Sequence, residues 1–292
     1  MRTLAFAALQ ERDPERKVGL TGQAFAATGG RRAMVDAAHS LMVESPGRPD
    51  RPLLRHPARV PQRGPGSVEG RAAMIHAITH IEFNAINLAL DAVCRFAAMP
   101  DDYYFDWISV ANEESTHFTL LSRHLKQQYG HDYGDFAAHD GLWAMADKTR
   151  HDVLTRMALV PRILEARGLD VTPAMRDKLR HHGDPAAAAI LDIILGDEVG
   201  HVLIGNRWYT KLCAERGLEP METFERLLRE HDVLVRPPFN RAARLASGFN
   251  EAELVRLEAR FVARTGVAAG VVNSVANSFV NSAANPVSTT TR

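Results

Sequence analysis

With 292 residues the chain is long enough for one large domain or two small ones, and 46% hydrophobic with 24% charged residues are the proportions of a folded, water-soluble protein. Lys+Arg and Asp+Glu both total 35, so bulk charge argues for neither a nucleic acid nor a membrane partner, although arginine clusters leave room for a local basic patch. Two cysteines, Cys94 and Cys213, are too few for a disulfide framework and stand in no zinc-type spacing; both read as buried thiols on helices.

The apolar run from Met1 to Leu9 is short and is broken by Gln10-Glu11-Arg12-Asp13, which suits a signal peptide poorly. No stretch reaches the roughly 20 apolar residues that a membrane span needs. The expected location is therefore cytoplasmic and reducing. Residues 1–45 read as short helical pieces. Residues 46–66, with Pro46, Pro49, Pro52, Pro57, Pro61 and Pro65, read as an extended strap, because proline at that density forbids a helix.

Four long helices follow in the pattern. The first opens on Ser67 as N-cap and runs to about Ala98, where Pro100 ends it. The second starts at Asp101 or Asp102 and stops at Gly130. The third is expected from about Leu142 to Arg167, with Gly168 as C-cap. Asp184-Pro185, a cap followed by proline at the first helical position, opens the fourth, which extends to about Arg216. At about 1.5 Å per residue these helices would be roughly 40–48 Å long, a length suited to a bundle. A shorter helix follows Pro220, Pro237-Pro238 breaks the chain, and Asn250-Glu251-Ala252-Glu253 has a capping-box form that opens a last helix ending at Gly266. The organisation expected is N-terminal pieces and strap over 1–66, a four-helix bundle over 67–216, a helical extension over 217–266, and a disordered tail over 267–292.

Two of the long helices carry Glu-x-x-His: Glu114-Ser-Thr-His117 and Glu198-Val-Gly-His201. Residues three apart share a helix face, so each glutamate points with its histidine. Glu82 stands 32 residues before Glu114, and Glu165 stands 33 before Glu198. Aligning the halves also sets Glu113 on Asp197 and Arg123 on Arg207. One Glu-x-x-His is common by chance; two, each on a long helix with a glutamate at matched distance upstream, form the ligand pattern of a dinuclear carboxylate site in a bundle. Four glutamates balance two divalent cations, which makes the buried site formally neutral. Glu82, Glu114 and Glu198 each interrupt an apolar stripe, a break of local pattern that tends to mark function. Glu165 is the weakest member, because it lies within a turn of Gly168 and also reads as a solvated helix-end charge; Asp152 is the substitute on the same predicted helix.

Other residues carry less. His76 and His80 read as surface or supporting groups rather than ligands. Trp208 reads as core packing or, alternatively, a channel wall, and His124 shares the face of His117. Asp91, Arg95, Arg123 and Arg207 either orient the ligand histidines or form surface ion pairs. Tyr103, Tyr104, Tyr129, Tyr133 and Tyr209 include possible hydrogen-bond or radical partners, with nothing to select among them. Sequence patterns of zinc proteases, P-loops, dinucleotide folds and nucleophile elbows are absent.

The segments His80-Ile81-Glu82, Asp106-Trp107, Glu113-Glu114 with His117-Phe118, His139-Asp140-Gly141-Leu142-Trp143, Leu164-Glu165-Ala166-Arg167-Gly168-Leu169-Asp170 and Asp197-Glu198 with Gly200-His201-Val202 resemble the uncharacterised bacterial ferritin-like family known as domain of unknown function 455, over about residues 5 to 260. The resemblance implies an all-α, ferritin-like bundle and a di-iron site on Glu82, Glu114, His117, Glu165, Glu198 and His201. It implies no substrate. More distantly the arrangement is similar to a di-iron tRNA hydroxylase that acts on a modified adenosine.

The function expected is dioxygen activation by two iron ions, or manganese, or a mixed pair, to oxidise a small-molecule or modified-nucleotide substrate, with Glu114 and Glu198 central to the chemistry and an external electron donor. A monomer or small homo-oligomer suits that role. Iron oxidation or peroxide scavenging is the alternative enzyme reading, and a non-catalytic helical binding protein with a residual metal site is the reading from another class.

Overall fold

A computed structural model describes residues 1–29, 39–42, 44–61 and 63–267. The described chain is all-helical, apart from one isolated parallel bridge between Leu54 and Ala138. It divides into two compact units, Met1–Asp147 and Lys148–Arg292. No helix among the described residues is long and apolar enough to cross a membrane. All of the tail expected from 267 except Val267 lies outside the described residues.

The first unit is built on a helix pair, α3 (Val68–Arg95) and α4 (Asp101–Tyr129), joined by a five-residue link that makes them antiparallel neighbours. The Ser67 side chain accepts from Gly70 N, as its cap position requires, and Gly130 ends α4 at φ 70°, a left-handed conformation that glycine adopts without a Cβ penalty. Two short helices, α1 (Arg2–Gln10) and α2 (Pro14–Ala26), pack on this pair. Long cationic side chains close helix ends here. Arg2 donates to the carbonyls of Val93 and Cys94 at the end of α3, and Lys17 Nζ donates to those of Ala8 and Leu9 at the end of α1. These carbonyls lie in the last turns of their helices, where backbone donors run out, although Glu11 N also reaches Ala8 O at 3.2 Å.

The strap is extended, as its prolines demand, with one 3-10 turn at Pro57–Arg59. Gly47 N donates to Leu9 O, and the backbones approach so closely that a Cβ on Gly47 would sit 2.1 Å from Gln10 O. Arg48 bonds Asp140 at 2.8 Å. Leu53 O and Arg55 N pair with the two backbone groups of Ala138.

The second unit departs from the sequence reading. The single helix expected from Leu142 to Arg167 is three pieces: α5 (Gly141–Lys148), at the end of the first unit, then α6 (Val153–Leu159) and a π-helical turn at Val160–Glu165. The last runs straight into α7 (Ala166–His181). Asp152 restarts the helix by accepting from both N and Oγ1 of Thr155. Pro161 has no N–H for the carbonyl of Met157, and the ladder widens there into the π turn. Gly168 caps nothing. Helix continues through it, at the cost of about 1 kcal/mol that glycine carries relative to alanine. Against α7 packs α8 (Pro185–Glu215), capped by Asp184 as expected. Then come α9 (Pro220–Glu230), α10 (Arg241–Ala246) and α11 (Glu251–Thr265). The Asn250–Glu253 capping box is present, and Gly266 is the left-handed C-cap.

Candidate metal centre

In the first unit, α3 supplies Glu82 and α4 supplies Glu114 and His117. Glu114 and His117 are wholly excluded from solvent, and Glu82 is 4% exposed. One ligand atom from each lies within 4.8 Å of the others. His117 Nδ1 stands 3.3 Å from Glu114 Oε2 and 3.4 Å from Glu82 Oε2. The same two helices bury apolar side chains within two turns of these residues: Ile75, Ile78, Ile86, Ala111, Phe118 and Leu121. The helical period that puts these residues inside also puts the three polar ones inside.

Burial drives the Glu82 carboxyl well above the usual range, and the neighbouring charge of Glu114 pushes it the same way. Burial works against a proton on His117, but contacts with Glu114 and Glu82 outweigh it and raise the imidazole to about 11. Protons thus stand in for positive charge among these groups. Glu82 Oε2 is buried and makes no hydrogen bond, its 3.4 Å approach to His117 being an ion-pair contact only. Two carboxylates and an imidazole with a buried lone pair still to be satisfied suit a transition-metal cation.

In the second unit, α8 carries Glu198 and His201, both buried, with His201 Nδ1 3.6 Å from Glu198 Oε1. Within the first unit, the buried side chains Glu82, Glu114 and His117 could hold a metal ion. Glu165 is half-buried at the last position of the π turn, with its Oε2 excluded from solvent, so it is not the helix-end charge that Gly168 suggested. Asp152, the substitute ligand, is engaged elsewhere: it caps α6 and bonds Arg216 at 2.7 Å.

His80 is buried. Its ring bonds the Tyr133 hydroxyl at 2.9 Å and the His139 carbonyl at 3.0 Å, and burial lowers its pKa to about 3. With Nε2–H donating to the carbonyl, Nδ1 accepts from Tyr133. His76, also buried, accepts from Gly134 N. Tyr133 is therefore the tyrosine singled out by its surroundings: its ring packs 5.3 Å from Phe83 and 5.2 Å from Phe118, each next to a candidate ligand. It sits in a Gly/Asp-rich turn with no helical period, which is why no pattern marked it. Asp91 and Arg95 form a buried pair at 2.8 Å, while Arg123 and Arg207 are exposed. Trp208 is buried in the core of its unit, and the half-buried His124 rests edge-on against Tyr129.

The chain matches the family model described as "Protein of unknown function (DUF455)" over residues 10–255, and it belongs to that family. A protein of Haemophilus influenzae described as uncharacterized is 51% identical over 214 residues, which cover 70% of this chain and 74% of that protein. No solved structure matches.

Proposed function

We propose that this member of the DUF455 family is a dinuclear metal oxidoreductase of ferritin-like design. Glu82, Glu114, His117, Glu165, Glu198 and His201 would supply the ligands for two ions, iron or manganese. The observation that carries the reading is the convergence of two carboxylates and an imidazole in an apolar interior, where uncompensated charge is costly and a structural role would be filled more cheaply by hydrocarbon. Its repetition as a second Glu-x-x-His on α8 supports two ions rather than one.

A bound pair of redox-active ions supplies dioxygen activation and the oxidation of an organic substrate. The residues of the chain contribute the rest. Glu82, Glu114, Glu165 and Glu198 together would neutralise two divalent cations, and each Glu-x-x-His sets glutamate and histidine on one helix face. The aliphatic and phenylalanine side chains about them keep water out. The His80–Tyr133 bond fixes the segment of α3 that carries Glu82. Electrons would come from a separate donor protein in a reducing compartment such as the cytoplasm, and a monomer or small oligomer would suffice.

Metal analysis of anaerobically purified protein, followed by optical spectra on exposure to oxygen, tests the reading. Close to two iron or manganese ions per chain and an oxygen-dependent absorption change are expected. Near-stoichiometric zinc, or no transition metal after reconstitution, would refute it. A large cage by light scattering would move the reading to iron storage.

A further inference from the structure

The π turn that carries Glu165 is held from outside by a set of buried contacts that the metal reading does not use. A π turn admits one residue more than an α turn and so rotates every later side chain to a new bearing. Glu165 is the last residue of the turn, so its direction depends on how the turn is held.

Two consecutive residues hold it. Pro161 lies against Gly205 of α8 so tightly that a Cβ on residue 205 would fall 2.2 Å from the proline Cβ. Gly205 is four residues beyond His201 and seven beyond Glu198, on the face of α8 that carries both. Arg162, 2% exposed, donates to Asn206 Oδ1 and, at 2.7 Å, to Glu253 Oε1. Its guanidinium lies 4.6 Å from the ring centre of Tyr209, 4.4 Å from Phe224 and 4.8 Å from Phe249. These rings come from α8, from α9 and from the segment before α11. Glu253 has a second duty: its Oε2 accepts from Asn250 N in the α11 capping box. Asn206 in turn donates to Ser247 O at 2.6 Å.

A buried Arg–Glu pair adds little stability over hydrocarbon of the same volume, but its fixed fork of donors defines a direction that hydrocarbon cannot. We propose that Arg162 is a positioning residue. With Pro161 and Gly205 it fixes the register of the π turn and so aims the Glu165 carboxylate toward its metal, and the helices after α8 serve to hold Arg162. This rests on the dinuclear reading above.

The test is anaerobic titration of the full chain with ferrous ion, reading stoichiometry and affinity. Wild-type protein is expected to bind two ions. Arg162→Met combined with Glu253→Gln, which leaves no buried charge alone, is expected to keep its helix content and one tight ion while the other weakens 10- to 100-fold, the usual effect of removing a group that orients a ligand. Arg162→Lys, which keeps the charge and loses the fork, is expected to weaken the same ion about 10-fold, and it serves if the double variant does not fold. Adding Glu165→Gln to either is expected to weaken binding no further than Glu165→Gln alone, since both act through one carboxylate. Leu9→Ala in the first unit, a general loosening, should leave both affinities in place. Two wild-type affinities in a folded Arg162 variant, losses that add to those of Glu165→Gln, or an equal loss in Leu9→Ala would overturn the proposal. Wild-type protein that binds no ion would instead overturn the dinuclear reading itself.

Discussion

Glu114→Gln should strengthen the metal-free protein and abolish its response to metal. Three ionisable groups meet in the first unit: Glu82, Glu114 and an imidazole held protonated by both. Taking an effective dielectric constant of about 20, the 3.3 Å contact of Glu114 with His117 is worth roughly 5 kcal/mol of attraction, and a like charge on Glu82, no more than 4.8 Å away, would cost at least about 3.5 kcal/mol, met either as repulsion or by the proton that Glu82 takes up. Those two nearly cancel, leaving the desolvation of a wholly buried carboxylate, several kcal/mol per ion. Glutamine keeps the shape and removes that penalty, while Glu82 and His117 remain as a neutral pair. The metal-free variant should gain about 1–3 kcal/mol after allowance for imperfect amide hydrogen bonding. Wild-type protein, by contrast, should gain about 2.7 kcal/mol from a cation at one hundred times its dissociation constant. The assay is urea unfolding of chelator-treated protein with and without added ferrous or manganous ion. If metal-free Glu114→Gln is less stable than wild type, or if both respond equally to metal, the argument that this charge cluster exists to hold a cation fails.

Three further outcomes follow from the packing. His117→Ala should lower ion stoichiometry without unfolding the chain, checked by metal analysis alongside circular dichroism, because under the proposed function the imidazole would bind the ion rather than pack the core. Gly47→Ala should destabilise by about 2–3 kcal/mol or more in urea, since its Cβ would meet backbone carbonyls that cannot swing aside, whereas Gly19→Ala, mid-helix in open space, should stabilise by about 0.5–1 kcal/mol. Burial pushes Lys17 from 10.5 down to about 7, so between pH 7 and 10 the unfolded chain holds the proton that the folded one releases, and stability from this group rises with pH across that window. At about 1.4 kcal/mol per unit the full swing is on the order of 5 kcal/mol; comparing urea midpoints of wild type and Lys17→Met at pH 7 and 10 should show the rise largely lost in the variant.

The long helices α3, α4 and α8 were legible because each is bounded by a device that acts within a few residues: Ser67 and Asp184 as caps, Pro100, and Gly130 in the left-handed region. The buried glutamates of the first unit were legible for a related reason, as charges at positions where the helical period demands hydrocarbon. What escaped depended on distant partners. Gly168 looked like a helix end, yet the π turn before it is fixed by Asn206 and Glu253, more than 40 and 90 residues away. Asp152 looked like a spare ligand until Thr155 and Arg216 claimed both its oxygens. His80 and Tyr133 meet across 53 residues through a turn that has no period to read.

Two of the three buried tryptophans give the molecule its own reporters. Trp107 lies on α4 seven residues before Glu114, and Trp208 lies on α8 seven residues after His201, each about 10 Å along the helix from a metal-motif residue and each shielded from water. Both should emit at short wavelength in the native state and shift to the red on unfolding. A paramagnetic ion close by quenches indole fluorescence, so single-tryptophan variants would let loading be followed by emission alone, separately for the α4 and the α8 motif.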